Sequence, residues 1–149
     1  MKSMAFEVDR SPTIITAVAC GGMVSRLDIA WLRREVFGDG QVSRQQAEEL
    51  FAVARSKVFK APEWTAFFVE MITDHLLDGP RGSGVVSRDD ADWLIGEVDR
   101  TMTAEALAAL ANVLAEARRA PKWLMAAARA RAAGGWPGVR EALAGSAIG

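Results

Sequence analysis

The chain has no tyrosine, one cysteine and one histidine among its 149 residues, and each scarcity excludes a class of structure or chemistry. The lone cysteine, Cys20, cannot form an internal disulfide and provides no cysteine pair for a metal. The alternation of valine, threonine and aromatic residues that marks strands is nowhere sustained, whereas alanine is frequent. No run of about 18 apolar residues occurs, so the sequence predicts no transmembrane helix. What remains is typical of an all-α protein.

The net charge of −1 provides no overall attraction to nucleic acid or membrane, but the charge is unevenly distributed. From residue 113 onward six basic residues stand against two acidic ones. A basic helix with an interleaved tryptophan can lie on phosphates or on an anionic membrane surface. A solvated helix whose arginine stems cover apolar neighbours explains the same pattern. The candidate basic patch comprises Arg118, Arg119, Lys122, Arg129 and Arg131.

The N-terminal stretch TIITAVAC, residues 13–20, has some likeness to a lipoprotein cleavage site. Glu7 and Asp9, however, stand where a signal peptide would be basic. We therefore predict a cytoplasmic protein with an N-terminal extension over 1–20. A lipoprotein anchored through Cys20 is the alternative.

One phrase occurs twice: VSRLDIAWLRREV at 24–36 and VSRDDADWLIGEV at 86–98 agree at eight places, sixty-two positions apart. Its opening, an apolar residue followed by a serine or threonine that can cap a helix, occurs four times. The predicted caps are Ser25, Ser43, Ser87 and Thr103. The motif Ala-Pro-x-Trp, at 61–64 and 120–123, predicts the start of a third helix in each half, because proline is favoured in the first helical turn.

These signals predict a single all-α domain over 1–149, a helical bundle of two pseudo-repeated three-helix units related by approximate two-fold symmetry. The units span about 24–78 and 86–133, and a tail over 134–149 includes a short helix near 138–144. The predicted helices are 26–37, 44–59, 62–78, 88–98, 104–118 and 121–133. The aromatic-rich helix over 62–78 is expected to be central, and its alanine-rich counterpart over 121–133 more exposed.

The stretch DGQVS at 39–43, followed by AEELFAVA, resembles the second half of an EF-hand loop. It equally resembles the Asp-Gly-x-Val-Ser motif of tellurite-resistance TerB-like domains. Those are all-helical, internally duplicated bacterial proteins with acidic residues implicated in metal binding. The resemblance covers the repeat architecture and one short motif. It implies a metal role for Asp39, although Gln46 replaces the glutamate expected after the serine; in the second half the equivalent place is Asp90.

A calcium loop can be tested against the ligands that the ion needs. If Gly40 is the sixth residue, the first, third, fifth and twelfth places hold Glu35, Phe37, Asp39 and Gln46. Calcium requires oxygen ligands there, with a bidentate glutamate last, and phenylalanine cannot coordinate a cation. We therefore predict that these loops are structural turns.

A second acidic feature lies on the predicted third helix. Glu70, Asp74 and Asp78 follow one another at a spacing of four and form a ridge that could hold a hard cation. A solvated acidic face is the alternative. His75 lies about 100° round the helix from Asp74 and need not join the ridge.

Trp31 and Trp93 occupy equivalent places in the repeated phrase, one residue away from the best apolar stripe of their helices. Such a flanking tryptophan either seals one helix against the next or is presented to a partner. Both interpretations stay open at this point.

The sequence contains few residues in arrangements that are typical of catalytic sites. The only histidine and the only cysteine have no visible catalytic partner, and GSGVVS lacks the lysine of a phosphate loop. We therefore expect no enzyme and no cofactor, but a small bacterial helical module for protein–protein interaction or self-association. One alternative is a divalent-metal-responsive TerB-like domain. Another is binding to nucleic acid or an anionic membrane through the basic helix 118–131.

Overall fold

The computed structural model describes residues 15, 18–19, 21–77 and 83–134. In this part of the chain six helices and one short parallel sheet follow one another. They are β1 (Met23–Val24), α1 (Arg26–Trp31, extended by a π-helical turn over Leu32–Val36), α2 (Arg44–Arg55), β2 (Phe59–Lys60), α3 (Glu63–Leu77), α4 (Arg88–Thr101), α5 (Ala104–Glu116) and α6 (Lys122–Gly134). The predicted all-α class is confirmed. The predicted tail helix near 138–144 and Cys20 lie outside the described residues.

The four predicted helix caps are confirmed. Ser25, Ser43, Ser87 and Thr103 each have extended backbone, and each side-chain oxygen accepts a hydrogen bond from the backbone N–H three residues later. In α1 and α2 the side chain of the third helical residue also accepts a hydrogen bond from the backbone N–H of the cap residue. A second backbone N–H that has no partner within the helix is thereby satisfied. The helix starts are therefore determined by local sequence.

The predicted extension of the second helix to residue 59 is wrong. The backbone of Ser56 leaves the helical conformation, and α2 ends at Arg55. Phe59 then enters β2, which runs parallel to β1 with Met23 opposite Phe59. The backbone N–H of Phe59 donates to Gly22 O at 3.1 Å, so a pairing across more than thirty residues replaces the last helical turn.

A related contact precedes α6 in the second half. The backbone N–H of Arg118 donates to Gly84 O at 2.8 Å, and the N–H of Val86 donates to Arg119 O at 2.9 Å. Gly84 has a φ of +73°, a conformation that favours glycine. The relation of the two halves by approximate two-fold symmetry remains a prediction.

The core is built around α3, which packs most extensively against α5. Its buried residues are Trp64, Phe67, Phe68, Met71, Ile72, Thr73, Leu76 and Leu77. In α6 only Leu124 is buried, as expected for the alanine-rich counterpart. Among the described residues, none of the helices combines the length and the apolar character needed to cross a membrane.

Candidate functional site

The DGQVS motif forms a turn and a helix cap. Asp39 Oδ1 accepts from the backbone N–H of Gln41 at 3.0 Å, and Gly40 takes a φ of +76°. Gln46 Oε1 accepts from the backbone N–H of Ser43 at 2.9 Å, while Ser43 Oγ accepts from the N–H of Gln46 at 3.0 Å. One carboxylate oxygen of Asp39 and the amide oxygen of Gln46 thus accept from backbone N–H groups of the loop, which supports its interpretation as a structural turn.

The acidic ridge on α3 lies beside a groove between α3 and α5. The groove has a volume of about 370 Å³ and is lined by Ala66, Val69, Glu70, Thr73, Asp74, Asn112 and Glu116. Glu70 forms an ion pair with Arg33 at 2.8 Å, and Asp74 also has an interaction partner. Asp39 is not among the lining residues, and Asp78 lies outside the described residues. The structure therefore brings Glu70 and Asp74 together with Glu116, a residue that the sequence pattern did not single out.

The described part of the chain contains no cluster of three or more histidine, cysteine, aspartate or glutamate side chains able to hold a metal ion. Metal sites in helical bundles normally take ligands from at least two helices. Here α5 contributes Asn112 and Glu116 to the groove. Asn112 Nδ2 donates to the hydroxyl of buried Thr73 at 2.8 Å, and this hydrogen bond joins α5 to α3.

The two equivalent tryptophans have different surroundings. Trp93 Nε1 donates to Glu48 Oε2 at 2.9 Å, and the guanidinium of Arg44 lies 4.3 Å from the centre of its ring. The ring also meets Phe51 edge-on at 5.8 Å, so Trp93 seals α4 against α2. Trp31 is half-buried against the core, and its presentation to a partner stays a prediction.

His75 lies at the junction of α2, α3 and α4 and has partners that the sequence did not reveal. Its Nδ1 lies 2.8 Å from Val42 O, and its Nε2 lies 3.0 Å from Arg44 Nε. Arg44 Nη2 also donates to Asp90 Oδ1 at 2.6 Å. The imidazole meets the Trp93 ring edge-on at 5.2 Å. We call Arg44, Glu48, His75, Asp90 and Trp93 the junction cluster.

The pKa of His75 is lowered from its ordinary value, chiefly because burial disfavours the imidazolium. The hydrogen bond to Val42 opposes this shift, and the positive charge of Arg44 reinforces it. The carboxylates of Asp90 and Glu48 act more weakly in the opposite direction. His75 is therefore neutral at pH 7.

The far ends of α2 and α4 are held by a second polar contact. Arg55 Nη1 donates to Glu97 Oε1 and to Thr101 Oγ1, both at 3.2 Å. Glu97 is only 4% exposed, which makes it the most buried carboxylate in the described part of the chain. Since Arg44 meets Asp90 near the start of both helices and Arg55 meets Glu97 near their ends, α2 and α4 run side by side in the same direction.

The basic patch is partly occupied by contacts within the chain. Arg131 binds both carboxylate oxygens of Asp99, at 2.6 and 2.7 Å, and these hydrogen bonds raise its pKa. Arg118 donates to Ser83 O at 3.1 Å. Arg119, Lys122 and Arg129 are exposed. A role for this patch in nucleic-acid or membrane binding stays a prediction.

Three large apolar side chains are exposed in the small sheet and in the first turn of the helix that follows β1. Met23 and Phe59 are opposite each other in β1 and β2 and are 49% and 66% exposed. Leu27, in the first turn of α1, is 75% exposed. We call Met23, Leu27 and Phe59 the apolar corner. By the sequence correspondence of the halves, the places of Leu27 and Phe59 hold the charged residues Asp89 and Arg118 in the second half.

A second apolar surface lies between α5 and α6. It is a groove of about 350 Å³ lined by Leu107, Ala111, Leu114, Ala115, Met125, Ala128, Arg129 and Ala132. Several of the lining residues on both helices are alanines, whose small side chains leave the groove open. Only Leu124 of α6 is therefore buried.

The chain matches no protein-family model, no curated protein and no solved structure. The TerB-like resemblance therefore stays a prediction that rests on the DGQVS motif and the repeated phrase.

Proposed function

We propose that the protein is a non-catalytic helical module that binds another protein, or a second copy of itself, through the apolar corner. The observation that carries this proposal is the exposure of Leu27, Phe59 and Met23, of which the last two are adjacent across paired strands. Single exposed apolar residues are common on protein surfaces, but adjacent large ones are typical of interaction sites.

The divergence of the two halves supports the same surface. Selection for solubility alone favours charged side chains at such places, and the second half has them in Asp89 and Arg118. The first half has leucine and phenylalanine there and leaves both in water. Burial of such side chains against a partner is favourable by about 1.5–3 kcal/mol each.

The double variant Leu27→Ser/Phe59→Ser is expected to weaken self-association or partner capture by more than about tenfold, because it removes two anchor side chains. The backbone hydrogen bond of Phe59 to Gly22 survives the change. Light scattering over a range of concentrations measures self-association. Affinity capture with wild-type and variant protein, read out by mass spectrometry, measures binding to other proteins.

The matched control is Val85→Ser/Met102→Ser, which removes two apolar side chains that are 42% and 41% exposed outside the apolar corner. This control variant should bind the same partners as the wild type, or self-associate to the same extent. A wild type that stays monomeric at high concentration and captures the same proteins as Leu27→Ser/Phe59→Ser would contradict the proposal.

A divalent-cation site is the second candidate, and we place it in the groove between α3 and α5, which Glu70, Asp74 and Glu116 line. Among the described residues these carboxylates do not form a ready metal cluster, so a cation would have to draw them together. Glu70 and Asp74 already have partners, so a cation would have to displace them. Hard cations such as Mg²⁺, Mn²⁺ and Ca²⁺ prefer carboxylate and amide oxygens of this kind.

If a cation binds there, metal at a hundred times its Kd stabilises the fold by about 2.7 kcal/mol, and EDTA reverses the effect. This corresponds to a rise in Tm of several degrees in a thermal-shift assay. Asp74→Asn/Glu116→Gln should abolish the rise, whereas Asp89→Asn/Asp92→Asn, on the exposed face of α4, should retain it. A Tm that is unchanged at millimolar metal removes this candidate.

A further inference from the structure

The two ring nitrogens of His75 have partners of opposite kinds. A backbone carbonyl can only accept, so Nδ1, 2.8 Å from Val42 O, carries a proton. A guanidinium can only donate, so Nε2, 3.0 Å from Arg44 Nε, carries the lone pair. The hydrogen bonds therefore assign the neutral Nδ1–H tautomer from geometry alone.

A second proton cannot be added without breaking one of these contacts. Protonated Nε2 would point its N–H at the N–H of Arg44 and place two positive charges about 3 Å apart. The bond from Nδ1 to Val42 is compatible with either charge state. Protonation therefore acts on Arg44 and leaves the anchor to Val42 in place.

Arg44 joins the three helices of the junction. It bonds His75 of α3, pairs with Asp90 of α4 and covers the ring of Trp93. When imidazolium displaces the guanidinium, it competes with Arg44 for Asp90, and the cation–π contact with Trp93 is disturbed. The Arg55–Glu97 contact at the other end of α2 and α4 contains no histidine.

We propose that the junction cluster is a proton-operated clasp, in which protonation of His75 releases Arg44 and loosens the N-terminal ends of α2 and α4 from each other. The charged groups that face His75 are Arg44 and Glu48 from α2 and Asp90 from α4, with Asp74 next to it on α3. The proposal does not depend on what the apolar corner binds.

The direction of the pH effect follows from the lowered pKa of His75. The unfolded chain takes up its proton near the ordinary pKa of 6.5, before the folded chain does. The stabilisation is therefore complete above pH 6.5 and is lost as the pH falls from there toward the folded pKa. Over that window the unfolding equilibrium constant rises by up to about tenfold per pH unit, the limit for one proton.

The test uses the full-length chain, whose single histidine makes its imidazole signal in NMR unambiguous. We expect a folded-state titration below 6.5 and a urea midpoint that falls between pH 7.5 and 5.5. In His75→Gln the difference in midpoint between these pH values should be smaller than in the wild type. A titration at or above 6.5, or an equal pH dependence in His75→Gln, overturns the proposal.

Two further variants keep the test decisive if His75→Gln fails to fold. Arg44→Gln removes the opposing charge and replaces a group that can only donate by an amide that can also accept, so it should raise the pKa of His75 relative to wild type. Arg33→Gln removes an exposed charge from the Glu70 pair and should leave that pKa unchanged. An unaltered pKa in Arg44→Gln contradicts the clasp.

Hydrogen exchange locates the opening. After correction for the intrinsic effect of pH, amides near Arg44 and Asp90 should exchange faster at pH 5.5 than at 7.5, while those near Arg55 and Glu97 change less. A purely structural histidine would not produce this difference between the two ends. Uniform changes along α2 and α4, or none, contradict the inference.

Discussion

Replacing Phe68 by alanine is expected to lower the free energy of unfolding by about 3–5 kcal/mol, the range for truncating a fully buried phenylalanine. Phe68 is 0% exposed. Its ring meets Phe51 of α2 edge-on at 5.0 Å and stacks on Trp64 of α3 at 5.7 Å. The variant loses the transfer free energy of the ring and leaves a cavity that these rigid neighbours fill only in part. Since domains of this size are stable by about 5–15 kcal/mol, the loss is a large fraction of the total.

Urea denaturation followed by circular dichroism measures this loss. Phe68→Leu keeps most of the volume and should cost less than Phe68→Ala. Thr65→Ala, on the exposed face of the same helix, should stay within about 0.5 kcal/mol of wild type. A Phe68→Ala variant that is hardly less stable than Thr65→Ala would show that α2 does not pack on α3 through these rings.

The starts of the helices could be predicted because a cap is a local device. Ser43 and Gln46 satisfy each other's backbone donors within four residues, so the sequence contains the whole interaction. The same holds for Ser25 and Asp28. The central position of α3 was predictable for a related reason, since residues that are apolar almost all round a helix have only the core to occupy.

The end of α2 was not predictable by this route. The apolar residues Val58 and Phe59 continue the helical pattern, but the chain leaves the helix at Ser56 and pairs Phe59 with Gly22 and Met23 in β2. A contact across more than thirty residues leaves no trace in a local periodicity. The sequence pattern also offered no means of recognising that Phe59 would be left exposed.

The junction cluster was missed for the same physical reason. Helical spacing relates His75 only to its neighbours on α3, whereas its partners, Val42 and Arg44, lie 33 and 31 residues away. The one available signal is weak: Arg44 and Asp90 stand in the first turns of the second and fourth predicted helices, with opposite charges. Nothing in the sequence alone shows that those two turns meet.

The halves differ where the junction cluster lies. The residues at the corresponding places are Ala104 for Arg44, Ala108 for Glu48 and Gly134 for His75. The side chains of these residues can neither accept from an indole N–H nor place a cation over its ring, as Glu48 and Arg44 do for Trp93. If the chain arose by duplication, the clasp belongs to one side of it only, and a single proton acts on a single helix pair.

Removing Glu97 is expected to lower the free energy of unfolding by about 1–3 kcal/mol, because Arg55 and Arg100 both lose the carboxylate that accepts their hydrogen bonds. Breaking a fully buried ion pair costs about 3–5 kcal/mol, but the side chain of Arg55 is 29% exposed and regains part of its hydration. Glu97→Ala is therefore expected to lie below that range. Urea denaturation at pH 7.5, where the junction cluster is closed, isolates this contribution.

Two comparisons show whether the pair acts as a unit. Arg55→Met/Glu97→Met replaces both partners by apolar side chains and should be within about 1 kcal/mol of wild type, since the one charge that then loses a partner, Arg100, has a side chain that is 60% exposed. Glu35→Ala removes one partner of the exposed pair with Arg34 and should cost less than about 1 kcal/mol. If the losses of the single variants Arg55→Met and Glu97→Met simply add in the double variant, the two residues are not coupled. In that case α2 and α4 are joined through Trp93 and Phe51 without help from this ion pair, and the clasp at their other end is their main polar contact.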